Sequence, residues 1–564
     1  MSFSKFHEFI PKAYLYLRGG YQFSTFRKDL LAGLTVGIIA LPLAMAFAIA
    51  SGVTPERGLY TAIIAGFLIS ALGGSRIQIG GPTGAFVVIV YGIIQRTGYN
   101  GLCISMLIAA LILILLGVLR VGSWIKYVPH PLIVGFTSGI AVVIFSTQIK
   151  DFFGLKMGTP PADFTAKWLA YYDAFPTFDP ITLSLAAGTL GAILLIRRLM
   201  PWLPWGISAI VLATAACTLF HLPIETIQSR FGEIPRNLPI PSLPSFLIPA
   251  GQLKEILING IIIAFLGSIE SLLSAVVGDG MIGGRHRSNC ELIAQGVANF
   301  GSVIFGGIPA TGAIARTVAN IKTGAQTPVA GMIHALVLFL ILYLLAPIVS
   351  KIPLAALSAI LMVVSWNMSE MGHFTKLLRA PYADRVVLLV AFLLTLFVDL
   401  TVAISVGMIL ASFFFMQRMS QMSKAVSLSQ VFQENQVDFP EKKDPNDISK
   451  KTIPQGVEVY EIQGPFFFGA ANMLRDLLNN STTQKIFILR MRAVPVIDAS
   501  GMHGLEEFYN QCKKQNILLF LSGVHGQTRQ DLKKFGLLEA IGEHQIFPDI
   551  DAALTKTREL LANS

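Results

Sequence analysis

The sequence has few charged residues. Asp, Glu, Lys and Arg make up 13% of its 564 residues, whereas 53% are hydrophobic. Because a soluble domain carries about 25% charged residues, this chain has too few polar groups to cover a soluble globule of its size. The shortage of charge excludes an ordinary soluble protein and predicts a polytopic α-helical membrane protein that contacts lipid.

Cysteine is scarce as well. The four cysteines are scattered, without the spacing of a zinc site or a disulfide framework. The C-terminal tail shows no nucleophile–base pair, metal cluster or phosphate-binding loop. The sequence therefore predicts no metal, no cofactor and no enzymatic activity.

The positive charge is unevenly distributed. The net charge is +10, and residues 1–425 hold 28 Lys and Arg against 16 Asp and Glu, whereas residues 426–564 hold 15 against 17. The basic excess therefore belongs to the hydrophobic part, where it orients loops, and does not indicate nucleic acid as a partner. The polar and aromatic start of the chain, residues 1–28, argues against a cleaved signal peptide.

Fourteen apolar segments are candidates for membrane-crossing helices, which need about 20 apolar residues each. The full-length segments are 30–50, 101–120, 129–148, 181–199, 204–221, 258–278, 326–348 and 398–417. The shorter or glycine-interrupted segments are 58–73, 83–95, 289–305, 312–322, 352–366 and 383–397. With the N-terminus in the cytoplasm, 18 Lys and Arg residues fall inside and nine outside. This bias predicts an inner-membrane protein with both termini cytoplasmic.

The composition changes after the last apolar segment. Residues 426–455 are polar, and short strand patterns then alternate with amphipathic helical patterns, which is typical of a small α/β domain. Val457–Ile462 alternates like an edge or half-buried strand. The predicted organisation is a cytoplasmic N-terminal segment 1–29, a transmembrane transport domain 30–420, a linker 421–455 and an α/β domain 456–564.

One motif occurs twice in the apolar part. Gly80–Phe86 recurs, with two inserted residues, as Gly306–Ile314, and each copy precedes a short apolar segment, the third and the tenth of the fourteen. These are equivalent positions if the membrane part consists of two halves of seven spans. An odd number of spans per half inserts the second copy upside down, so the repeat predicts the 7+7 inverted architecture of many secondary transporters.

A second spacing agrees with this repeat. Pro42, which we expect to break the first span, lies 41 residues before Thr83, and Glu270 in the eighth span lies 41 residues before Thr311. Spans one and eight are again equivalent in a seven-plus-seven scheme. The two coincidences together favour an internal duplication.

The repeated motif has an electrostatic consequence. Glycine-rich backbone at membrane depth is tolerated where it is buried or lines a watery cavity. Helices that start there from opposite sides direct their positive ends at one point, which favours an anion. Arg316 lies about 7 Å along the helix from Thr311 and either binds that anion, pairs with Glu270 or extends to the interface. Glu270 is a candidate proton acceptor, sodium ligand or partner of Arg316.

Four motifs carry a resemblance to a known family. They are Ala40–Ala46, Pro55–Ala62, Gly80–Ala85 and Gly312–Arg316, and in this order they resemble the sulfate permease (SulP) family of anion transporters. The resemblance implies a core domain of spans 1–4 and 8–11, a gate domain of spans 5–7 and 12–14, elevator-like movement between them and a homodimer. It also implies an anion site formed here by Leu43, Phe47, Thr83, Gly84, Ala85, Gly312, Ala313 and Arg316, with Glu270 as the residue that binds the coupling ion.

The C-terminal domain resembles the STAS (sulfate transporter and anti-sigma antagonist) module. The match is clearest at Val496–Gly501, where Ala499 replaces the serine that is phosphorylated in the antagonists. We therefore expect no phosphorylation switch at Ala499, and Ser500 is expected to be a helix N-cap. Such a module is expected to bind a regulatory protein or the second protomer.

The leading hypothesis is a secondary active, proton-coupled transporter of sulfate-like oxyanions or C4-dicarboxylates. The tracts 313–317 and 366–370 resemble the bacterial branch of the family that is associated with dicarboxylates. Sodium-coupled bicarbonate members have Asp and Thr where this chain has Glu270 and Ser274, which favours a proton as the coupling ion. The alternatives are a sodium-coupled bicarbonate transporter, a nucleobase permease and an anion channel.

Overall fold

The computed structural model describes residues 7–123, 128–200, 203–246, 249–398, 400–422, 424–427, 453–467, 474 and 485–562. The chain divides into two compact units, Met1–Ala411 and Ser412–Ser564. The first unit contains the membrane helices, and the second contains a small mixed sheet.

The first unit is almost entirely helical. Its helices are α1 (Lys12–Arg18), α2 (Phe23–Ala50), α3 (Pro55–Leu72), α4 (Gly84–Val118), α5 (His130–Thr147), α6 (Ile149–Phe153), α7 (Phe164–Ala174), α8 (Pro180–Leu199), α9 (Trp205–Leu219) and α10 (Ile227–Phe231). They continue with α11 (Leu253–Ile282), α12 (Ser288–Ile304), α13 (Ile314–Lys322), α14 (Val329–Val349), α15 (Leu354–Met368), α16 (Met371–Leu377), α17 (Tyr382–Phe397) and α18 (Leu400–Met422), the last of which runs into the second unit.

Each of the fourteen predicted apolar segments lies on a helix. Among the residues that the structure describes, eight helices are long and apolar enough to cross a membrane. Segments 83–95 and 101–120 share α4, which is kinked at Gly98, where φ is 70° and ψ is −179°. The kink therefore divides α4 into the two predicted spans.

The first span differs from its prediction because Pro42 does not break it. Helix α2 runs without interruption from Phe23 to Ala50, so it begins seven residues before the predicted start at residue 30. Proline removes one backbone donor from a helix, and in membrane proteins neighbouring helices can accommodate that loss. Pro42 is buried, and Gly58 of α3 lies so close to α2 that a Cβ there would be 2.0 Å from the carbonyl oxygen of Ala44.

The helices pack in two groups. In the core group, α11 and α12 pack on α4, and α14 packs on α2 and α3. In the gate group, α17 and α15 pack on α5, and α8 packs on α15 and α9. These groups correspond to the core and gate domains that the family resemblance implies, and fewer contacts, chiefly α4 with α5 and α2 with α15, join them.

The two copies of the repeated motif meet at a short ladder. Strands β1 (Gly80–Gly81) and β2 (Thr311–Gly312) pair antiparallel, with Gly80 opposite Gly312 and Gly81 opposite Thr311. Helix α4 begins three residues after β1 and α13 two residues after β2. Antiparallel pairing of the two copies is the relationship that an inverted repeat predicts.

The second unit contains a five-stranded sheet in the order β3 (Lys424–Ser427), β4 (Val457–Gln463), β5 (Ile486–Ala493), β6 (Leu518–Ser522) and β7 (Ile546–Phe547). Helices α19 (Ala499–Lys514), α20 (Gly526–Lys534), α21 (Leu537–Ile541) and α22 (Ile550–Ala562) follow its strands. One of the amphipathic helical patterns that the sequence shows, at about 470–480, lies almost wholly outside the described residues.

The position of β4 corrects the sequence interpretation. The segment 457–462 is not an edge strand, because β3 pairs antiparallel with β4 on one side and β5 pairs parallel with it on the other. Strand β3 lies within residues 421–455, the segment predicted as a linker, and residues 428–452 lie outside the described part of the chain. A four-residue strand after a long apolar helix has too short an alternating pattern to be recognised.

The N-cap of α19 is also corrected. The cap is Asp498, whose carboxylate accepts a hydrogen bond of 2.7 Å from the backbone N–H of Gly501. Ser500 lies inside the first turn and is exposed. Asp is as good an N-cap as Ser and comes earlier in the chain, so the helix begins at Ala499.

Candidate functional site

The start of α4 is turned toward α11. Thr83 has the extended backbone of an N-cap residue, yet its side chain makes no capping hydrogen bond to α4. Its hydroxyl instead donates a hydrogen bond of 2.9 Å to Oε2 of Glu270. Thr83 therefore leaves the first N–H groups of α4 without a side-chain cap, and the positive end of the helix dipole faces the site.

Helix α11 contacts both copies of the motif. Thr83 of the first copy binds Glu270, and Thr311 of the second copy donates a hydrogen bond of 2.9 Å to the carbonyl oxygen of Gly267. Gly267 and Glu270 are one turn apart on α11. Glu270 retains partial solvent exposure, whereas Thr311 is fully buried.

Arg316 connects the second half of the protein to the first. It is 3% exposed, and its guanidinium donates hydrogen bonds to the carbonyl oxygens of Gly80, at 3.4 Å, and Pro82. Gly81 has a φ of 143°, and a Cβ there would lie 2.6 Å from Nη1 of Arg316. The backbone of the first motif therefore approaches the arginine so closely that only glycine fits.

Arg316 and Glu270 do not form a direct ion pair. No ion pair within 4 Å links them among the residues that the structure describes. Backbone carbonyls carry only partial negative charge, so they leave most of the positive charge of the guanidinium uncompensated. The sequence left open whether Arg316 pairs directly with Glu270, and the structure shows no such pair among the described residues.

A network of buried polar side chains lies next to the β1–β2 ladder. Gln78 donates a hydrogen bond of 3.1 Å to Ser271, whose hydroxyl donates one of 3.3 Å to Glu291. The fully buried carboxylate of Glu291 also accepts hydrogen bonds from the backbone N–H groups of Gly74 and Ser75, at 2.9 and 3.0 Å. Gln295 supplies a fourth donor at 2.9 Å. These four hydrogen bonds offset the free-energy cost of burying the carboxylate.

Sequence reasoning missed Gln78. It is 4% exposed, and a Cβ at Gly312 would lie 1.7 Å from its Nε2 atom. The sequence signal that could have identified Gln78 is its position two residues before Gly80. An amide in this apolar stretch needs hydrogen-bond partners wherever it is buried, and here its partner is Ser271 of α11.

A second link joins α13 to the first half. Thr317 donates or accepts a hydrogen bond of 3.0 Å with Ser274 and accepts one of 3.1 Å from the backbone N–H of Ile79. The backbone N–H of Ala313 donates to the carbonyl oxygen of Ile79 at 2.8 Å. Ser274 is fully buried in this contact, so its hydroxyl holds α13 in place.

The remaining predicted residues lie on the same elements. Gly84 and Ala85 begin α4 and are buried, as are Gly312 and Ala313 before α13. Leu43 is partly exposed and Phe47 is 5% exposed on α2, which packs against α4 and α13. The gate group approaches the site at Gly84, where a Cβ would be 2.7 Å from the sulfur of Met368.

The described residues contain no group of three or more His, Cys, Asp or Glu side chains that could hold a metal ion. The site thus consists of two opposed helix starts, one carboxyl group and one buried guanidinium. Comparison with known proteins shows the family of the chain. Residues 26–391 match the sulfate permease family. The chain belongs to this family. Residues 449–553 match the STAS domain.

Relatives of this chain match it over nearly its whole length. It is 41% identical over 535 residues to the putative sulfate transporter YvdB of Bacillus subtilis, which covers 94% of this chain and 98% of that protein. It is 30% identical over 547 residues to the bicarbonate transporter BicA of Synechocystis, with 94% of each chain covered. Both are named as transporters, not as enzymes.

A solved structure shares the fold. The murine anion transporter Slc26a9 superposes with a TM-score of 0.86 over 99% of this chain and 95% of that chain, at 20% sequence identity. The agreement supports the arrangement of apolar helices followed by a C-terminal STAS domain.

Proposed function

We propose that this protein is a secondary active transporter that moves small anions, sulfate-like oxyanions or C4-dicarboxylates, together with protons. The observation that carries the proposal is the junction of two opposed helix starts at the β1–β2 ladder, with Arg316 buried beside it. The family and the similarity to YvdB make sulfate the first substrate to test. Leu43, Phe47, Thr83, Gly84, Ala85, Gly312, Ala313 and Arg316 are the proposed substrate-binding residues.

The charges at the junction favour an anion. Each helix N-terminus is equivalent to about half a positive charge, and Arg316 adds a full one, so about two positive charges converge there. An ionised Glu270 would cancel about half of this charge. A protonated Glu270 leaves it intact, so binding of a proton strengthens binding of a divalent anion, and the two bind cooperatively.

Elevator movement is the proposed mechanism. The substrate-binding residues all lie in the core group, and the gate group approaches them at Met368. Displacement of the core against the gate would expose the junction to one side of the membrane at a time. Glu270, the proposed proton acceptor, would travel with the anion because it lies on α11 of the core.

Sodium-coupled bicarbonate transport is the second candidate, favoured by the similarity to BicA. A sodium ion needs several oxygen ligands beside Glu270. Ser274, one turn away, is instead occupied by Thr317. This arrangement favours the proton as the coupling ion.

The decisive experiment is uptake by proteoliposomes that contain the purified protein. Sulfate, bicarbonate, succinate and fumarate are offered in turn, with a pH gradient, a sodium gradient or neither. We expect accumulation of sulfate or a dicarboxylate driven by the pH gradient alone. Accumulation that requires sodium would contradict proton coupling, uptake of uracil or xanthine would indicate a nucleobase permease, and currents far above carrier turnover would indicate a channel.

The proposal also covers the membrane location, the orientation and the oligomeric state of the protein. We place it in the inner membrane with both termini in the cytoplasm, as a homodimer, with the STAS domain binding a regulatory protein. Cross-linking in membranes would show the dimer. Accessibility of single cysteines placed at each terminus would show the orientation.

A further inference from the structure

A cavity that is separate from the β1–β2 junction lies between the core and gate groups. It has a volume of about 270 Å³ and is formed by the ends of α2, α4, α5, α11 and α17 together with α7, a helix of the loop after α6. We call it the outer cavity, because the loop 149–180 follows the fifth predicted span and therefore lies outside if the N-terminus is cytoplasmic. The polar residues that line it include Arg96, Lys167, Asn259 and Thr395.

Lys167 of α7 is the unusual residue of the outer cavity. It is only 2% exposed, and no ion pair within 4 Å involves it in the described part of the chain. The nearest acid along α7 is Asp163, the N-cap of the helix, whose carboxylate accepts hydrogen bonds from Thr165 Oγ1 at 2.6 Å and from the backbone N–H of Ala166 at 2.8 Å. A buried ammonium without a paired acid is costly.

Two other charged residues line the outer cavity, Arg96 and Asp163, and the carboxylate of Asp163 is held by its hydrogen bonds at the N-terminus of α7. Arg96 of α4 forms an ion pair of 2.5 Å with Glu255 of α11. The hydroxyl of Tyr91 donates to the carbonyl oxygen of Pro160. Of the two cations that line the cavity, Lys167 is therefore the one without an ion pair in the described part of the chain, and it is the one that an added anion would contact.

Asn259 of α11 is the second observation. It is 3% exposed, it lines the outer cavity, and its Nδ2 donor group has no hydrogen-bond partner. Buried side-chain donors are satisfied in the large majority of cases. A donor group and an ammonium that face the same cavity, both without an acceptor, are what an anion with several oxygens requires.

We propose that the outer cavity binds one small oxyanion, with Lys167 and Asn259 as its ligands, before the anion reaches the β1–β2 junction. The inference rests on the proposed anion transport. Asn259 lies eleven residues before Glu270 on α11, about 16 Å along the helix. Val87, one turn after Gly84 on α4, also lines the cavity. The outer cavity therefore reaches to within one turn of Gly84, the first residue of α4.

The titration of Lys167 gives the site a pH signature. Burial lowers the pKa of Lys167 from its ordinary value to about 8, with Asp163 opposing the shift. A lowered pKa means that the ammonium loses its proton as the pH rises through about 8, and the cavity then loses its unpaired charge. Affinity for an anion from the outer side should fall over that pH range, and a bound anion should in turn raise the pKa of Lys167.

The experiment measures sulfate uptake from each side of the membrane. Right-side-out and inside-out vesicles are prepared from cells that express the wild type, Lys167→Gln, Lys167→Arg, Asn259→Leu or the exposed-lysine control Lys254→Gln. We expect Lys167→Gln to raise the KM for sulfate on the outer side about tenfold, the loss of one charge-assisted hydrogen bond, and to leave the KM on the inner side unchanged. Asn259→Leu should raise the outer KM by less than Lys167→Gln does. Lys167→Arg keeps the positive charge and should leave the outer KM near the wild-type value.

The pH profile separates binding from a structural role. The outer KM of the wild type should rise between pH 7 and 9, that of Lys167→Gln should stay flat, and that of Lys167→Arg should stay low throughout. An unchanged outer KM in Lys167→Gln, or equal increases on both sides, would overturn the outer site while transport itself stands. If the wild type moves no sulfate, bicarbonate, succinate or fumarate from either side, the proposed function fails, and the outer site with it.

Discussion

Thr83 donates a hydrogen bond of 2.9 Å to Glu270 and so joins the first half of the membrane unit to the second. The donor residue begins α4, and the acceptor lies in the middle of α11. A hydroxyl can donate to an ionised carboxylate and can accept from a protonated one. The contact therefore survives both protonation states of Glu270, as the proposed uptake and release of a proton at this residue would require.

The first prediction concerns Glu270→Gln. Glutamine keeps the size of the side chain and still accepts the hydrogen bond from Thr83, but it cannot take up a proton. We expect accumulation of the anion against its gradient to disappear while anion exchange remains measurable in proteoliposomes. The exposed Glu233→Gln is the matched control and should behave as the wild type, and undiminished accumulation in Glu270→Gln would exclude Glu270 as the coupling residue.

The second prediction concerns Gly312→Ala. The new Cβ would lie 1.7 Å from Nε2 of Gln78, so this buried side chain must move and give up its hydrogen bond to Ser271. We expect loss of at least about 2 kcal/mol of stability, seen as a lower unfolding temperature in detergent, and loss of transport. The double variant Gln78→Ala, Gly312→Ala should recover part of both.

Gly188→Ala is the control for this substitution. Gly188 lies in α8, where a Cβ meets nothing within 4 Å. Alanine in a helix interior is favoured over glycine by about 1 kcal/mol, so the unfolding temperature should stay the same or rise. A fall equal to that of Gly312→Ala would show that the crowding at Gln78 is not the cause.

The third prediction concerns Arg316→Lys. Lysine keeps the charge but lacks the planar fork with which the guanidinium reaches the carbonyl oxygens of both Gly80 and Pro82. We expect a lower unfolding temperature and at least a tenfold loss of transport. The exposed Arg236→Lys should change neither, and full activity of Arg316→Lys would show that charge alone suffices at this position.

The fourth prediction separates Asp498 from Ser500 in the STAS domain. Removal of an N-cap costs about 1 kcal/mol, so Asp498→Ala should accelerate backbone hydrogen exchange in the first turn of α19, measured by mass spectrometry of the whole protein. Ser500→Ala should leave exchange in that turn unchanged. The reverse order of effects would restore Ser500 as the cap.

The sequence could predict much of the membrane fold because apolar length and the repeated motif are long-range patterns. The fourteen segments and the equivalence of the two motif copies needed only hydropathy and spacing. The uninterrupted course of α2 through Pro42 could not be predicted, since it depends on the packing of α3 against it. Strand β3 was missed because its four residues form a strand only through pairing with β4.

The candidate site was predictable to a lesser extent. The chemistry of Thr83, Glu270 and Arg316 follows from their place near glycine-rich backbone in apolar spans. The acceptors of Arg316 did not follow, because backbone carbonyls have no sequence signature. Gln78 and Met368 were missed for a related reason: their contacts with Gly312 and Gly84 depend on how residues far apart in the chain are brought together.

The β1–β2 ladder also constrains the order in which the protein is made. Gly80 emerges from the ribosome more than 200 residues before its partner Gly312. Until then the first motif lacks both its ladder partner and the guanidinium of Arg316, so its backbone groups must be hydrated or shielded by other means. The first seven spans can therefore enter the bilayer early, but the ladder becomes complete only when the tenth span arrives.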